Sequence, residues 1–498
     1  MRMETRIACP WLLDRVSSSQ EAAACIRHGM TVAVGGYTNA GYPKAIAREL
    51  AARKRRGEDF QIRLLSGAND GPLDTLLGTE GLISWRAPLI ESKVLAKQVN
   101  AGQVSYVEQQ MSKMPRLTRD GAFGDIDIAV VEALRITPEG YLVPTASVGM
   151  VPYFLEQAKH VIVEINMAQP LTLDGMHDIY LPGFPPSRQP IPLTAVDQRI
   201  GTPYVRVDPE KIRYIVRSDE LDETPASTSR KPQMEQVAAN LLSFLKREIP
   251  RMPRGVLPPV QTGFGGMATE ITRGLETSGI ENIQFFCGVL QEANMELLAS
   301  GRATAASTGS IQMTPRVIEL LKTQPDLFRQ RVRIRNTDVT NSAEIVSRLG
   351  LITLNSGIEM DIYGNVNSSH VSGVKVVNGL GGGAGFAANA GLSIMLFVSE
   401  TKGGTVSAIV PMVTHQDVSE HDVDVVVTDV GVADLRGKDD VERAKCIIEN
   451  CAGPHYREPL RDYLEKAVRE AGGHHPQLLR EAFSWHIRLQ ETGTMQET

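Results

Sequence analysis

The feature that most constrains this chain is a repeated alternation between short runs of β-branched residues and longer amphipathic stretches. Residues 30–36 (MTVAVGG) predict a strand, and residues 42–57 predict a helix that ends at Gly57. The other strands predicted in the first half lie at residues 61–67, 126–133 and 160–166. Strands that alternate with helices are typical of a mostly parallel sheet covered by helices on both faces, so the predicted fold class is α/β.

The same rhythm restarts after a polar connection, residues 217–233, that is rich in Asp, Glu, Ser and Thr. The strands predicted in the second half lie at residues 351–355, 393–400, 405–413 and 423–435. Because 498 residues exceed one ordinary hydrophobic core, two similar open α/β domains are expected. The predicted division is an N-terminal domain at 1–217, a linker at 218–233, a C-terminal domain at 234–475 and a helix with a polar tail at 476–498. Dense prolines predict one irregular excursion, between residues 169 and 205.

Composition excludes several classes of function. The net charge of −6 argues against nucleic acid or an anionic membrane as the main partner. No apolar run approaches the ~20 residues that span a bilayer, and the N-terminus has no signal-peptide core. The five cysteines are scattered, without CxxC or Cys/His spacing. We therefore expect a cytoplasmic, reduced protein of enzyme size that binds no metal.

Residues 283–301 (IQFFCGVLQEANMELLASG) have the pattern of a strand, a tight turn and a helix. The apolar run stops at Cys287-Gly288, and the helical pattern that follows closes at Gly301. Open α/β sheets usually carry their chemistry at the carboxyl ends of strands, where such turns lie. This turn carries a cysteine and a glycine, and no carboxylate.

Three glycine-rich loops precede helical patterns, at residues 35–46, 260–271 and 378–391. A bare backbone lets successive N–H groups approach a phosphate or an oxyanion. The loop at 378–391 contains no GxxxxGK[ST] and forms no clean dinucleotide fingerprint. A purely structural turn remains the alternative for this loop.

Taken together, several segments resemble one family. These are GGYTNAGYPKAI (35–46), VDQRIGTPYVRVDPEKI (196–212), RLGLITLNSGIEMDIYGNVNSSHVSG (348–373), NGLGGGAGF (378–386), residues 406–437 and residues 443–467. They are similar to segments of the acetyl-CoA hydrolase/transferase family of class I CoA-transferases, over roughly residues 15 to 470. The resemblance implies two open α/β domains with the active site at their interface, and usually a homodimer. It also implies coenzyme A as a substrate or product, with an acyl-CoA and a small or medium carboxylate as the partners.

The resemblance also shows where this chain departs from the family. The family's nucleophilic glutamate, which attacks the acyl-CoA thioester, corresponds to Gly288, and the threonine before it corresponds to Cys287. Glycine has no side chain, so covalent glutamyl catalysis cannot run from position 288. A family glutamate becomes Asp429, whereas the family's asparagine is retained at Asn341. Glu292 is the nearest carboxylate, but it lies about one helical turn too far along the chain.

The remaining implied site residues are backbone donors and CoA contacts. The resemblance implies an oxyanion hole at Phe264 and Gly382. It implies CoA contacts at Gly381, Gly382, Gly383 and Lys402, although a solvated lysine is the alternative for Lys402.

Three functions stay open for such a site. The first is CoA transfer between an acyl-CoA and a carboxylate, the ancestral reaction. The second is a different reaction of an acyl thioester, such as hydrolysis, decarboxylation or C–C bond chemistry. Hydrolysis would use Asp429, with Asn341, to orient water, unless Asp429 only binds nearby backbone; Cys287 is either a nucleophile or a small packed hydrophobe. The third is an inactive acyl-CoA-binding subunit.

Overall fold

The computed structural model describes residues 3–68, 71–224 and 231–497. Its strands are β1 (Thr31–Val34), β2 (Ile62–Ser66), β3 (Ile83–Ala87), β4 (Ser105–Tyr106), β5 (Ile128–Ile136), β6 (Leu142–Pro144), β7 (His160–Asn166), β8 (Ile212–Ser218), β9 (Val260–Thr262), β10 (Ile283–Leu290), β11 (Ala303–Ile311), β12 (Val332–Ile334), β13 (Ile352–Ser356), β14 (Glu359–Asp361), β15 (Val366–Asn367), β16 (His370–Val371), β17 (Lys375–Val376), β18 (Leu392–Leu396), β19 (Glu400–Thr401), β20 (Val406–Ser407), β21 (Ile409–Val410), β22 (Val425–Val427) and β23 (Val432–Asp434).

The α-helices are α1 (Ser19–Ala24), α2 (Ala45–Arg55), α3 (Gly71–Thr79), α4 (Lys93–Asn100), α5 (Met114–Arg119), α6 (Val151–Gln157), α7 (Pro232–Glu248), α8 (Gly266–Thr277), α9 (Glu292–Ala299), α10 (Pro315–Thr323), α11 (Pro325–Arg331), α12 (Thr337–Thr340), α13 (Ala343–Leu349), α14 (Gly383–Ala387), α15 (Asp440–Cys451), α16 (Arg457–Glu470) and α17 (Ser484–Thr492). The predicted strands of the first half correspond to β1, β2, β5 and β7, and the predicted helix at 42–57 corresponds to α2.

The chain divides into two compact units. Unit 1 contains residues 1–226 and 284–348, and unit 2 contains residues 227–283 and 349–498. Backbone pairing explains why residues 284–348 belong to unit 1, because Ser147 pairs with Ser310 and Gly149 pairs with Asn336. The sequence-based division assigned those residues to 234–475, and that division into domains stays a prediction. Part of its linker, residues 225–230, lies outside the described residues.

Unit 1 is built around a sheet with the strand order β4-β3-β2-β1-β5-β7-β8. These neighbours are parallel, and β6 adds to β5 as an antiparallel hairpin. Unit 1 also contains β12, β11 and β10 in that order. The predicted α/β class with mostly parallel sheets is thus confirmed.

The turn predicted at Cys287-Gly288 is wrong. Both residues lie inside β10, which runs on to Leu290, and the break comes at Gln291. Gln291 caps α9 through a reciprocal pair of hydrogen bonds with Asn294. The capping box, which satisfies two helix N–H groups, therefore fixes the start of the helix, and the glycine does not end the strand.

The proline-rich excursion lies between β7 and β8 and contains no α-helix or strand longer than an isolated bridge. A buried ion pair between Asp178 and Arg335 ties it to the end of β12. Asp178 also accepts hydrogen bonds from the backbone N–H groups of Ile200 (3.1 Å) and Gly201 (2.7 Å). Burial lowers the pKa of Arg335 to about 10, although the Asp178 carboxylate opposes the shift.

A second buried polar cluster includes Glu132, in the middle of β5. The ammonium group of Lys44 contacts the carboxylates of Glu132 (2.8 Å) and Asp222 (2.7 Å). Burial raises the pKa of Glu132 to about 7, because desolvation outweighs the attraction of Lys44. Glu164 accepts the backbone N–H groups of Lys44 and Ile46, at the start of α2, where the helix dipole favours an anion.

Unit 2 contains the strands β9, β13, β18, β22 and β23 in that order, parallel except for the antiparallel edge strand β23. The C-terminal segment, predicted as a helix and a polar tail, packs on this unit. Trp485 of α17 contacts Tyr456 with ring centroids 5.2 Å apart, and the N–H of Met495 donates to the carbonyl of Thr405 at 2.8 Å. No helix in the described ranges is long and apolar enough to cross a membrane.

We predict that Asp178→Ala lowers the free energy of unfolding by about 3–5 kcal/mol, because it leaves the buried Arg335 charge without its carboxylate. Urea unfolding followed by circular dichroism measures the change. Asp219→Ala is the matched control, since Asp219 pairs with the exposed Arg217 and its removal should change little. Equal losses of unfolding free energy in the two variants would contradict the stabilising role assigned to the buried Asp178–Arg335 ion pair.

We also predict that the protonation of Glu132 makes the free energy of unfolding depend on pH. Its folded pKa, about 7, exceeds the 4.5 of an ordinary glutamate, so the folded state holds a proton that the unfolded state releases. The Glu132 contribution to stability is therefore fully present below about pH 4.5 and is lost as pH rises through 7. The free energy of unfolding of Glu132→Gln, relative to wild type, should rise across this window.

The control is Glu139→Gln, in the same unit. The hydrogen bond from Thr137 lowers the pKa of the exposed Glu139, so its contribution has the opposite sign and is lost as pH falls. If the free energy of unfolding of Glu132→Gln relative to wild type did not change with pH, a raised pKa of Glu132 would be excluded.

Candidate active site

Position 288 lies inside β10 and follows the buried Cys287. Cys287 is fully buried, whereas Gly288 is half-buried. Successive residues of a strand point to opposite faces, so the thiol lies on the face away from the one that Gly288 opens. Burial favours the packed role for Cys287 over the nucleophilic role, since a thiol must reach its substrate to attack it.

The space beside Gly288 is filled by Tyr37. A Cβ atom placed on Gly288 would lie 3.1 Å from the Tyr37 hydroxyl oxygen, and one placed on Gly149 would lie 2.8 Å from the Tyr37 ring. A Cβ on Gly309 would lie 3.6 Å from the same ring. Three glycines thus surround one aromatic side chain, which we name the Tyr37 cradle (Gly149, Gly288 and Gly309).

Asn341 lies next to the Tyr37 cradle. The Tyr37 hydroxyl donates to Asn341 Oδ1 at 3.4 Å, and the Thr340 hydroxyl donates to the same oxygen at 2.9 Å. Burial raises the pKa of Tyr37 well above its ordinary value, so the phenol is neutral and protonated at physiological pH. The group beside position 288 is therefore a hydrogen-bond donor and not an anion.

Glu292, the nearest carboxylate in sequence, has another role. It lies in the first turn of α9 and accepts a hydrogen bond from the hydroxyl of Thr314, the residue that caps α10. This hydrogen bond joins the starts of two helices and favours a structural role for Glu292.

In unit 2, the implied oxyanion donors are backbone groups in loops that follow strands. Phe264 lies between β9 and α8, and Gly382 is the residue before α14. Within the described part of the chain, the N–H groups of Phe264 and Gly382 donate to no protein acceptor. Gly381 has a φ of +65°, a conformation that favours glycine, and α14 begins two residues later at Gly383.

Two buried amides lie under the glycine loop. The Gln261 side chain donates to Asn355 Oδ1 at 3.2 Å, and a Cβ on Gly383 would lie 3.4 Å from that oxygen. Among the described residues, Gln261 Oε1 and Asn355 Nδ2 have no hydrogen-bond partner. One unpaired acceptor and one unpaired donor suit a ligand that offers both, such as a secondary amide.

Asp429 follows β22 and is half-buried. Its carboxylate accepts the backbone N–H of Ser399 at 2.6 Å, and its carbonyl accepts from Asn240 at 3.3 Å. These contacts favour the local backbone role for Asp429 that the sequence left open. Asp429 belongs to unit 2 and Asn341 belongs to unit 1.

Lys402 is exposed and lies in an open cavity of about 480 Å³ in unit 2. The cavity is also lined by Lys231, Glu400 and His455, and the last two pair with each other at 2.7 Å. Among the described residues that line the cavity, two are lysines and one is a carboxylate that is already paired, an arrangement that suits a phosphate group.

Within the described part of unit 2, Glu420, Asp440 and His475 place potential metal-ligand atoms close together. His475 Nδ1 already pairs with Asp440 at 2.7 Å, and Glu420 accepts from Asn365 at 3.2 Å. The prediction that the protein binds no metal stays a prediction.

Sequence reasoning missed Tyr37, the residue beside position 288. The available signal was a tyrosine within GGYTNAG, a loop already selected for its glycines. The contact joins residues 37 and 288, and no local pattern reports a pairing over that separation.

The N-terminal domain model of the acetyl-CoA hydrolase/transferase family matches residues 6–217, and the C-terminal domain model matches residues 319–464. The chain is 39% identical to a succinyl-CoA:acetate CoA-transferase of Clostridium kluyveri, over 99% of this chain and 92% of the relative. It is 35% identical to an acetyl-CoA hydrolase of Candida glabrata, over 99% of this chain and 97% of the relative.

The fold is also that of a 4-hydroxybutyrate CoA-transferase of Porphyromonas gingivalis, with a TM-score of 0.64 and 20% identity over 92% of this chain and 99% of the other. The match of both domain models and the two relatives above 30% identity settle the family. The chain belongs to the acetyl-CoA hydrolase/transferase family, and it is an enzyme of the CoA-transferase and acyl-CoA hydrolase type.

Proposed function

We propose that this enzyme exchanges CoA between an acyl-CoA and a carboxylate without a covalent glutamyl intermediate. The observation that carries the proposal is the Tyr37 cradle, where a neutral phenol stands beside the glycine that replaces the nucleophile. A site that lacks its own carboxylate must take the carboxylate from the substrate. Acyl-CoA and acceptor then have to be bound together.

The exchange balances without an enzyme nucleophile. An acceptor carboxylate oxygen attacks the thioester carbonyl, the C–S bond breaks, and CoA leaves as a thiolate while a mixed anhydride forms. The thiolate then attacks the carbonyl of the acceptor half, the C–O bond breaks, and the original acyl group leaves as a carboxylate. No proton or electron is gained or lost overall.

Both steps pass through a negatively charged tetrahedral centre. The N–H groups of Phe264 and Gly382 are the proposed donors to that oxygen, and their lack of acceptors in the described chain supports the role. One such donor contributes about 3–4 kcal/mol of transition-state stabilisation. Backbone donors are independent of side-chain identity, so they remain when a nucleophile is lost.

The CoA moiety itself offers amides and phosphates. The unpaired Gln261 and Asn355 amides beneath Gly383 fit the secondary amides of a pantetheine arm. The glycine loop at 381–383 offers backbone N–H groups, and Lys402 lies in a cavity that suits a phosphate. These features support CoA-ester binding in unit 2. The homodimer and the cytoplasmic location stay predictions.

Hydrolysis is the second candidate, because one relative is an acetyl-CoA hydrolase and because Gly288 is only half-buried, so that solvent reaches it. Asp429 would then act as the base that activates water. Asp429→Asn separates the two functions, because asparagine keeps the oxygen that accepts from Ser399 and loses the basicity. Hydrolysis through Asp429 predicts a loss of about 10²-fold or more in kcat, whereas direct exchange predicts little change.

The first experiment measures initial rates with acetyl-CoA and succinate, each varied at several concentrations of the other. We expect intersecting lines, since both substrates must be bound before either product leaves, and no covalent acyl or CoA adduct by intact-protein mass spectrometry. Parallel lines with an adduct would overturn the proposal and locate a replacement nucleophile. Thioester loss that does not depend on succinate would favour hydrolysis, and binding without turnover would favour an inactive subunit.

A second prediction concerns CoA recognition. Lys402→Ala should raise KM for acetyl-CoA by about 3- to 10-fold and weaken its salt dependence, because an ammonium–phosphate contact is lost. Lys375→Ala is the control, an exposed lysine of the same unit that does not line the cavity. Equal effects in both variants would show that only overall charge matters.

A further inference from the structure

We propose that the Tyr37 hydroxyl donates a hydrogen bond to the acceptor carboxylate, which binds beside half-buried Gly288. This inference rests on the proposed function, because it assigns the group that receives the substrate carboxylate in a direct exchange. It makes Tyr37 a specificity-determining residue for the acid and not for the acyl-CoA.

Three separate segments of the chain form the space that the Tyr37 ring occupies. Gly149 lies in the loop before α6, Gly288 lies in β10 and Gly309 lies in β11. A Cβ on Gly149 would meet the ring at 2.8 Å, and one on Gly309 would meet the carbonyl oxygen of Gly288 at 3.0 Å. The ring therefore occupies a space that side chains at these positions would close.

The loop that carries Tyr37 holds two non-glycine residues in a strained backbone conformation. Tyr37 and Ala40 exchange two backbone hydrogen bonds, of 3.0 and 3.3 Å. The two residues between them, Thr38 and Asn39, have φ values of 52° and 62°, the left-handed pair that a type I′ turn requires. Non-glycine residues hold this conformation only when the surroundings enforce it, and such strain concentrates at functional sites.

The Tyr37 hydroxyl is protonated, and its hydrogen bond to its present acceptor, Asn341 Oδ1, is long. Its hydrogen bond to Asn341 Oδ1 measures 3.4 Å, beyond the usual 2.7–2.8 Å of a hydroxyl donor, and Thr340 already serves that oxygen at 2.9 Å. A carboxylate oxygen is charged and accepts hydrogen bonds more strongly than an amide oxygen. An anionic acceptor that enters beside half-buried Gly288 therefore competes well for the Tyr37 proton.

The same neutrality explains why Tyr37 binds and does not react. Burial raises the pKa of the phenol far above physiological pH, so no phenolate is available to attack a thioester. The chain has thus replaced a fixed carboxylate by a fixed donor for a carboxylate, and the reacting oxygen comes from the second substrate.

The test is Tyr37→Phe, which removes one oxygen and keeps the ring in the cradle. With acetyl-CoA and succinate, KM for succinate should rise by about 10- to 100-fold, and KM for acetyl-CoA should change by less than about twofold. A purely structural role would change both constants or the unfolding midpoint. An unchanged KM for succinate overturns the inference.

A second variant pair tests the fit of the site. The Tyr37 oxygen is the nearest atom to a Cβ on Gly288, at 3.1 Å, and the next is a ring carbon at 3.5 Å, an ordinary contact. Gly288→Ala should therefore lower the unfolding midpoint in the presence of Tyr37 and lower it much less in the Tyr37→Phe background. Equal losses in both backgrounds would contradict the assigned contact.

The outcomes separate this inference from the proposed function. Parallel kinetics with a covalent adduct refute direct exchange whatever Tyr37→Phe does. Intersecting kinetics with an unchanged KM for succinate leave direct exchange standing and refute the Tyr37 role. If no turnover occurs, calorimetric titration of succinate into the CoA-bound protein decides, since wild type should bind at least about tenfold more tightly than Tyr37→Phe.

Discussion

Each unit depends on one constraint of parallel sheets, namely that its parallel strands end at the same edge of its sheet. In unit 1, Tyr37 follows β1; in unit 2, the loop of Phe264 follows β9, Asn355 lies near the end of β13, and Asp429 follows β22. Each unit must supply partners for the backbone and side-chain groups at its own edge, and it does so with polar contacts. Lys44 with its two carboxylates does this in unit 1, and Asp429 with the Ser399 N–H does it in unit 2.

Several elements could be predicted from the sequence because their signals are local. The strands at 31–34, 62–66 and 160–166 are β-branched runs, and α2 ends just before Gly57, whose φ is +94°. The end of β10 could not be predicted, because a glycine within the strand resembles a turn and the true boundary is set by the Gln291–Asn294 capping box. The resemblance located position 288, but no local pattern in the sequence indicates that Tyr37 lies beside it.

The candidate site residues differ in how far they depend on side-chain chemistry. Backbone donors such as the Phe264 N–H depend on loop geometry alone. The Asp429 carboxylate accepts the backbone N–H of Ser399. The Tyr37 phenol is a neutral hydrogen-bond donor beside Gly288. In the proposed direct exchange, the reacting carboxylate therefore comes from the second substrate and not from the protein.

The contact between Tyr37 and Gly288 also limits which residues position 288 can hold. A Cβ atom there would lie 3.1 Å from the Tyr37 oxygen and 3.5 Å from a ring carbon, so a side chain at this position requires the tyrosine to shift. The residue at position 288 is therefore coupled to the residue at position 37, although the two are far apart along the chain.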